Sequence, residues 1–394
     1  MKRLLFLAIA MATVALSSCN KDDDKNKNDN AAQHDAQFEG IAKAFLNNTV
    51  YPTYSALASA TEELVNDLQT LRTSKTQANL DKACTTFLKA RAEWERSEAF
   101  LFGPAGDFGI DPHIDSWPLD EDAFNTGIKN TDLLNALDAE DGDEQAAANL
   151  GNTLLGFHCV EFVLFADGKA KDVAAINDLH LIYATAVAGD LRNHCYQLEV
   201  SWMGDAAPAT HRAKVEALEM NSTVAGGEKS YSDNMLGAGK AGSTFPSWLS
   251  VIQQIIQGCV DIADEVGASK IGKPNTGEDP TYIESPYSWN SITDFYNNIV
   301  SIDNVYHGGV EGKRDAANSL AKFMEANHPE QHKAIEAAID GALKAIGTGQ
   351  TDPGTGMKYP FVNNIADPSA KAASQACATL VEVLEAANNT IVAK

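Results

Sequence analysis

The sequence lacks the short motifs that identify several enzyme classes. It contains no C-x-x-C pair, which excludes the usual thiolate zinc site. It contains neither the H-E-x-x-H of zinc metallopeptidases nor the G-x-S-x-G of serine hydrolases. The letters of G-x-G-x-x-G occur at 237–242 but follow no strand pattern, so they do not indicate a dinucleotide site. His328 and His332 lie four residues apart, but no apolar stripe surrounds them and we expect no metal site there.

Basic residues are also scarce. The chain has 30 Lys and Arg against 54 Asp and Glu, a formal net charge of −24. Such a charge repels nucleic acids and anionic lipid surfaces, so we expect neither as a partner. Cations, or cationic patches of another protein, are compatible with it. The acidity also keeps an exported protein soluble.

The apolar run at 4–16 is too short to span a membrane as a mature helix. With two basic residues before it, this run has the pattern of a secretory signal peptide over residues 1–18. The sequence Leu-Ser-Ser-Cys at 16–19 resembles a bacterial lipobox. The resemblance implies cleavage before Cys19, lipidation of that cysteine, and contact with the membrane through a lipid anchor only.

Residues 19–35 are polar and are predicted to form a flexible tether. Their first part, NKDDD at 20–24, resembles the acidic export signal that Bacteroidetes place after the lipidated cysteine. That resemblance implies an outer-membrane lipoprotein exposed on the cell surface. The alternative is that these charges only begin a solvated linker, in which case the protein faces the periplasm.

Five cysteines remain once Cys19 is lipidated, and each lies within an apolar helical pattern. They are Cys84, Cys159, Cys195, Cys259 and Cys377. Five is an odd number, and free cysteine is among the residue types most often buried. We therefore predict that they serve mostly as small buried hydrophobic side chains, although an exported location would permit disulfides.

Apolar residues recur at three- and four-residue spacing along most of the chain, and strict alternation is nearly absent. This pattern predicts an all-α protein. The predicted helical segments are 36–50, 53–73, 76–102, 144–166, 176–202, 248–266, 288–306, 312–327, 329–346 and 368–391. Loops are expected at 103–118, 221–244 and 267–287. A chain of 394 residues exceeds the usual size of one core, which predicts two helical bundles packed side by side, 36–205 and 206–394, with long ordered loops.

Two of the predicted helices carry acids on the face that should be apolar. The apolar stripe of the first consists of Leu80, Cys84, Phe87 and Leu88. At about 100° per residue, Arg91 and Glu98 fall within this stripe and Glu95 falls at its edge. The stripe of the second consists of Leu150, Leu154, Phe157 and Phe165. Glu161 lies in its middle and His158 one turn earlier, and because a buried carboxylate needs a partner, that partner can be a bound cation.

His158 and Glu161 are three residues apart, so their side chains point the same way and can share one ion. Such pairs recur in helix-bundle metal sites, and Glu95 and Glu98 offer a second pair. Oxygen-rich ligation with one histidine suits iron, manganese or zinc better than copper(I). The alternatives are structural: a buried glutamate can pair with Arg91, and a buried histidine can satisfy a backbone carbonyl.

These residues form a recognisable pattern. Gly156-x-His158-x-x-Glu161 resembles the G-x-H-x-x-E signature of the imelysin family, also called peptidase family M75. Further passages that resemble this family are WERSE at 94–98 with FGP at 102–104, IDSWP at 114–118, and ESPYS at 284–288 followed by Asp294, Asn297, Asn298 and Tyr306-x-Gly308. The resemblance extends from about residue 36 to residue 390, and the order and spacing of the motifs make it specific.

The resemblance implies an all-helical fold of two bundle-like domains, with the signature helix near their interface. It also implies an exported, often lipid-anchored protein associated with iron regulation or uptake, whose candidate partner is an envelope protein of an iron-uptake system. In metal-binding relatives, an E-x-x-E helix, a loop aspartate and the motif histidine form the metal site. Carried over to this sequence, the predicted ligands are Glu95, Glu98, Asp115, His158 and Glu161.

Asp115 is the match for the loop aspartate, although Asp107 and Asp111 are close to it in the sequence. Further residues of the cluster and of the family motifs are predicted to support the site. They are Arg91, Trp94, Gly156, Trp117, Glu284, Ser285 and Ser288.

The family name also suggests a metal-dependent peptidase. A metallopeptidase needs an open coordination position, a general base and an oxyanion stabiliser, and one H-x-x-E pair does not supply these roles. The sequence therefore favours a protein that binds iron or a related divalent cation and has no assigned catalytic residue. The other alternative is a metal-free interaction module that docks another envelope protein or a glycan.

Overall fold

The computed structural model describes residues 32–349 and 356–391. The predicted signal peptide, Cys19 and all but the end of the predicted tether lie outside these residues. None of the helices in these ranges combines the length and the hydrophobicity that a bilayer-spanning segment needs. The described residues are mainly helical, with a small antiparallel sheet formed by β1 (Phe165–Ala166) and β2 (Lys169–Ala170). The predicted all-α fold is confirmed.

In the first half of the chain, the α-helices are α1 (Asp35–Ala44), α2 (Tyr51–Thr73), α3 (Gln77–Glu95), α4 (Pro104–Asp107), α5 (Asp111–Ile114), α6 (Glu121–Gly127), α7 (Thr131–Leu137), α8 (Gly142–Asn149), α9 (Gly156–Leu164) and α10 (Asp178–Met203). In the second half they are α11 (Ala209–Ala217), α12 (Tyr231–Leu236), α13 (Trp248–Asp264), α14 (Gly272–Thr276), α15 (Ser291–Tyr306), α16 (Leu320–Asn327), α17 (Pro329–Ile346) and α18 (Pro368–Thr390). Two π-helical segments, Phe45–Val50 and Glu265–Ile271, connect α1 to α2 and α13 to α14.

The long helices α2 and α10 form the centre of the first half. The predicted apolar stripe of α2 is buried and consists of Leu57, Leu64, Val65, Leu68 and Leu71. Helix α10 is buried on nearly all sides because α2, α8, α9 and α11 pack around it. Helix α3 packs against α2 and α9, which brings the Arg91 guanidinium to 5.4 Å from the centre of the Phe157 ring.

In the second half, α13, α15, α17 and α18 pack on one another. The predicted start of α18 is confirmed, because Asp367 accepts a hydrogen bond from the backbone N–H of Ser369 and Pro368 is the first helical residue. Contacts of α15 with α3, and of α13 with α1, join the two halves. Most buried apolar residues of the described ranges form one continuous core across both halves. The division after residue 205 stays a prediction.

Helix α3 ends at Glu95 and does not continue to residue 102 as predicted. The hydroxyl of Ser97 donates to the backbone carbonyl of Trp94 at 2.7 Å, and such bonds compete with the continuation of a helix. The backbone N–H of Ala99 donates to Ser301 Oγ at 3.1 Å, outside any helical ladder. Glu98 therefore begins a separate 3₁₀ turn, and Glu95 and Glu98 are not a pair on one helix.

The prediction of one helix over 144–166 is also wrong, since the segment is divided into α8 and α9. Leu150 and Leu155 have extended backbones, and Gly156 has φ +69, a conformation that favours glycine. His158 and Glu161 thus belong to a short helix that starts anew at Gly156. The predicted loops are more ordered than expected, because they contain α4, α5, α12 and α14.

The prediction for the cysteines is confirmed. All five described cysteines are buried and free of disulfide bonds. Burial raises the pKa of Cys84 to about 12, so the thiol stays protonated and behaves as a small hydrophobic group.

Candidate functional site

Arg91 lies at the centre of a buried group of charges. Helix α3 carries it into the interior, where its side chain is 0% exposed. Its guanidinium donates to Glu284 Oε1 at 2.5 Å and to Asp115, and it lies 2.6 Å from Glu95 Oε1. Arg91 Nε also lies 3.8 Å from Asp294 Oδ2. One cationic side chain is therefore surrounded by carboxylates from both halves of the chain.

Asp115, directly after α5, is the loop aspartate that joins this group. Its carboxylate accepts from Trp94 Nε1 at 2.8 Å and from Arg91, and its Oδ1 lies 3.1 Å from His158 Nε2. Burial acts to raise the pKa of Asp115, but Arg91, His158 and Lys270 together outweigh burial and hold that pKa well below its usual range. Asp107 lies elsewhere, where it accepts a hydrogen bond from a tyrosine of α12.

His158 and Glu161 are both buried on α9. Glu161 Oε1 accepts from the backbone N–H and the hydroxyl of Ser288 at 2.8 and 2.6 Å, and from the backbone N–H of Tyr287 at 3.2 Å. Glu161 Oε2 lies 3.3 Å from His158 Nδ1, which orients the ring. His158 Nε2 makes no hydrogen bond, despite its closeness to Asp115. Burial opposes the charge on His158, but the carboxylates of Asp115 and Glu161 raise the pKa of the imidazole to about 9.

Gly156 has a steric role at the start of this motif. Its φ is +69, and a Cβ at this position would lie 2.2 Å from the backbone O of Ile114 and 3.0 Å from that of His113. Glycine therefore permits the close approach of α9 to α5. This approach places His158 beside Asp115.

We expect Gly156→Ala to lower the free energy of unfolding by more than about 2 kcal/mol, because a left-handed backbone and an overlap with a carbonyl oxygen both oppose the methyl group. Gly151→Ala is the matched control, since Gly151 has φ −76 and an added Cβ would meet no atom within 4 Å. Chemical denaturation measures both effects. Equal stability of the two variants would contradict the close packing of α5 on α9.

The remaining predicted supporting residues also lie at this site. Ser285 donates to Asp294 Oδ2 at 2.6 Å, and Ser288 holds Glu161 as described above. The Trp117 ring packs on the imidazole of His158, with the ring centres 4.6 Å apart. The structure thus brings together the predicted ligands and all seven predicted supporting residues.

Lys270 is the main residue of this site that sequence analysis missed. Its buried Nζ lies 3.2 Å from Glu284 Oε1, 3.5 Å from Glu98 Oε1 and 3.7 Å from Glu95 Oε2. It was placed in a predicted loop, but the π-helical segment after α13 extends the helix past it. Lys270 follows the buried Val266 by four residues on the same face, and a basic residue that continues an apolar stripe was the available signal.

Some residues of the buried group of charges around Arg91 and Lys270, called the cluster below, line a cavity of about 310 Å³. Its charged lining residues are Glu98, Asp111, Asp115, Glu265, Lys270 and Glu284. Burial, together with the neighbouring Asp115, raises the pKa of Asp111 to about 7. Burial likewise raises the pKa of Glu98 well above its usual range. The cavity therefore concentrates acidic groups that one lysine neutralises only in part.

Glu95 is not part of the cavity lining. Its side chain is 0% exposed, its Oε2 accepts from Asn298 Nδ2 at 2.5 Å, and its Oε1 faces Arg91. Burial raises the pKa of Glu95 well above its usual range. The structural alternative considered for the buried glutamates, pairing with Arg91, thus applies to Glu95, whereas Glu98 lies beside Lys270.

Two overlapping sets of side chains have the spacing of a cation site. They are Asp115, His158 and Glu284, and Glu95, Glu98 and Asp115, and within each set the ligating atoms lie within 4.8 Å of one another. His158 Nε2 and Glu284 Oε2 are buried without a hydrogen-bond partner, although buried polar atoms are normally satisfied. One imidazole with several carboxylate oxygens suits iron, manganese or zinc. The donor set therefore fits a hard or borderline cation.

The chain resembles known proteins over most of its length. Iron-regulated protein A of Synechococcus elongatus is 28% identical over 331 residues, which cover 84% of this chain and 79% of that protein. A crystal structure from Parabacteroides distasonis, named as an iron-regulated protein A precursor, is 27% identical and has a TM-score of 0.74, with 90% of this chain and 95% of that chain covered.

An imelysin-like protein from Psychrobacter arcticum shares the fold, with a TM-score of 0.61 at 11% identity, and the match covers 88% of this chain and 93% of that chain. The family model of imelysin, peptidase M75, matches residues 50–387. This match includes the Gly156-x-His158-x-x-Glu161 motif and the segments that surround it. The chain therefore belongs to the imelysin family, as its motifs predicted.

Proposed function

We propose that this protein is a cell-envelope lipoprotein that binds one iron ion, or a related divalent cation, at the edge of the acidic cavity, between its lining carboxylates and the buried His158, and that it assists iron acquisition. The observation that carries the proposal is that His158 Nε2 and Glu284 Oε2 are buried without a well-aligned hydrogen bond, and that ligating atoms of Asp115, His158 and Glu284 lie within 4.8 Å of one another. Both are ligand types that such cations accept. A cation bound between them would satisfy both atoms.

The side chains that would hold the cation are Asp115, His158 and Glu284, and Glu98 lies beside them in the overlapping set that shares Asp115. Glu161 takes a supporting role, because three donors occupy its Oε1 and His158 Nδ1 faces its Oε2. A carboxylate in this position fixes the orientation of a ligating histidine and raises its basicity. Glu95 also supports the site, since its Oε1 contacts the Arg91 guanidinium at 2.6 Å.

The charges of the cluster favour an additional cation. The carboxylates around Arg91 and Lys270 are Glu95, Glu98, Asp115, Glu284 and Asp294. If all are ionised, they exceed the two basic groups. Burial counters this excess with protons, and it raises the pKa of Asp294, for example, to about 7. A divalent or ferric cation would neutralise the same charge and displace those protons.

The cellular role rests on the N-terminus and on the relatives. The lipobox-like sequence ending at Cys19 would anchor the protein to the outer membrane, and the acidic residues after it would direct it to the cell surface. There the cavity would bind iron and deliver it to an envelope protein of an uptake system. The name of the Synechococcus elongatus relative, which refers to iron regulation, supports this role.

Thermal melting of the mature domain tests the proposal. A cation that binds the folded state should raise its stability by about 2.7 kcal/mol at a concentration of 100 times Kd. We expect iron, and more weakly manganese or zinc, to raise Tm relative to chelator, and Asp115→Asn and His158→Gln to abolish this response. Asp107→Asn is the control, because Asp107, at the end of α4, belongs to the same segment 103–118 as Asp115 but lies outside the cluster. The same Tm with every cation and with chelator would contradict the proposal.

A metal-free interaction module is the second candidate, and the position of Lys270 favours it. Its ammonium already lies within 3.7 Å of three carboxylates, where a metal would otherwise neutralise charge. In that case the acidic cavity would receive a basic side chain of another envelope protein, or a glycan. A lack of any metal response, in the wild type and in Lys270→Gln alike, would favour this candidate. The family name also suggests a peptidase. Cleavage of unfolded protein substrates by the wild type, and its loss in His158→Ala, would support that activity.

A further inference from the structure

A second group of metal-binding side chains lies outside the acidic cavity. His113 of α5 meets Asp190 and His194 of α10. His113 Nδ1 lies 3.2 Å from Asp190 Oδ2, and His194 Nδ1 lies 3.1 Å from Asp190 Oδ1. Asp190 is 1% exposed and the side chain of His113 is 26% exposed. A buried carboxylate thus contacts two imidazoles, one of which reaches the solvent.

The arrangement of this group is compact. The rings of His113 and His194 stack with their centres 4.0 Å apart and their planes at 23°. Each of the three residues offers one ligating atom, and these three atoms lie within 4.8 Å of one another. The group lines a cavity of about 490 Å³, whose acidic lining residues also include Asp143, Glu144 and Glu219. Asp143 and Glu144 lie 3.0 and 3.8 Å from the ammonium of Lys214, so this wall carries charges of both signs. A cation can reach the group from solvent through this cavity.

We propose that His113, Asp190 and His194 form a second metal site, which takes a borderline divalent transition cation such as zinc, nickel, copper(II) or cobalt. Imidazole nitrogens favour these cations over calcium or magnesium. Three protein ligands would leave a coordination position open to the cavity, as in zinc sites that bind a water or a small ligand. This second site differs from the acidic cavity in its two histidines and in its position. The two sites are connected by α5 and the residue after it, Asp115.

An ion pair explains the same contacts without a metal. Asp190 is buried and needs partners, and two histidine N–H groups would supply them. His194 Nδ1 also lies 3.0 Å from the backbone O of Asp190, which is a further partner of the ring. The two explanations differ in one respect, which is whether the group binds a cation offered in solution.

Titration of the purified mature chain with cobalt(II) distinguishes them, because cobalt held by histidine in a low-symmetry site absorbs visible light. We expect visible bands in the wild type and in Asp115→Asn, which removes a ligand of the acidic cavity and no ligand of the second site. His113→Gln and His194→Gln should each weaken cobalt binding at least about tenfold. His332→Gln is the control. It removes a histidine of α17 that belongs to neither proposed site, so this variant should bind cobalt like the wild type.

His113→Gln is the more informative variant, because the side chain is partly exposed and its replacement leaves the core intact. Circular dichroism verifies that each variant is folded before titration. Bands that persist when His113→Gln or His194→Gln is combined with Asp115→Asn, or an absence of bands in the wild type, would overturn the second site. Loss of the bands in Asp115→Asn alone would assign the cobalt to the acidic cavity and would also overturn the second site. Because the iron response and the cobalt bands are measured separately, either site can fail without the other.

Discussion

Replacing Arg91 with methionine is expected to lower the free energy of unfolding by about 3–5 kcal/mol. The substitution removes a fully buried guanidinium that contacts Glu95, Asp115 and Glu284. These acids would stay buried without their main partner, and an uncompensated buried charge costs more than the intact pair contributes. Chemical denaturation in the presence of chelator measures the loss without any contribution from metal binding.

Arg72→Met is the matched control for this prediction. Arg72 also pairs with an acid, Asp138, but the two side chains are 29% and 47% exposed. Exposed ion pairs contribute about 0–1 kcal/mol, so the control should remain close to the wild type. Similar losses in Arg72→Met and Arg91→Met would contradict the view that Arg91 is the electrostatic centre of the site.

Replacing Lys270 with glutamine is expected to strengthen cation binding by at least about tenfold. The ammonium of Lys270 lies within 3.7 Å of Glu95, Glu98 and Glu284, so a metal must share these oxygens with it. Two unit charges 4 Å apart repel by about 4 kcal/mol at an effective dielectric constant of 20. A tenfold change in Kd corresponds to only about 1.4 kcal/mol, so relief of part of this repulsion is enough. Isothermal titration with manganese and zinc measures the change.

The same variant should be less stable than the wild type in chelator, because Glu98 loses its basic neighbour. Lys273→Gln is the control, since Lys273 lies over the Tyr282 ring at 4.6 Å and not among the carboxylates. We expect the control to bind cations like the wild type. Weaker binding in Lys270→Gln than in Lys273→Gln would show that Lys270 supports the bound cation, and the proposed competition would be wrong.

Helix positions could be predicted where the signals are local. The apolar spacing of α2 and the Asp367 cap of α18 both act within a few residues, and both are confirmed. The end of α3 depends in part on a distant contact, because Ala99 donates to Ser301 in the other half of the chain. Residue spacing within 76–102 could not reveal that partner, so the predicted helix was too long.

The site shows the same division between local and distant signals. Spacing identified His158 and Glu161 as buried polar residues of one helix. It could not show that Ser288 and Tyr287, from the other half, already hold Glu161. Spacing also could not choose Asp115 among the loop aspartates, and that choice came from the resemblance to the family. Lys270 was missed because the glycine-rich segment around it was interpreted as a loop.

Iron binding in the cavity is tested most directly by anomalous diffraction from crystals of the mature domain soaked in iron and measured at the iron absorption edge. We predict one anomalous peak between His158 Nε2 and the carboxylates of Asp115 and Glu284, and no such peak in Asp115→Asn crystals treated in the same way. Soaked wild-type crystals without a peak in the cavity, in which Lys270 still lies against Glu284, would contradict the proposed metal site.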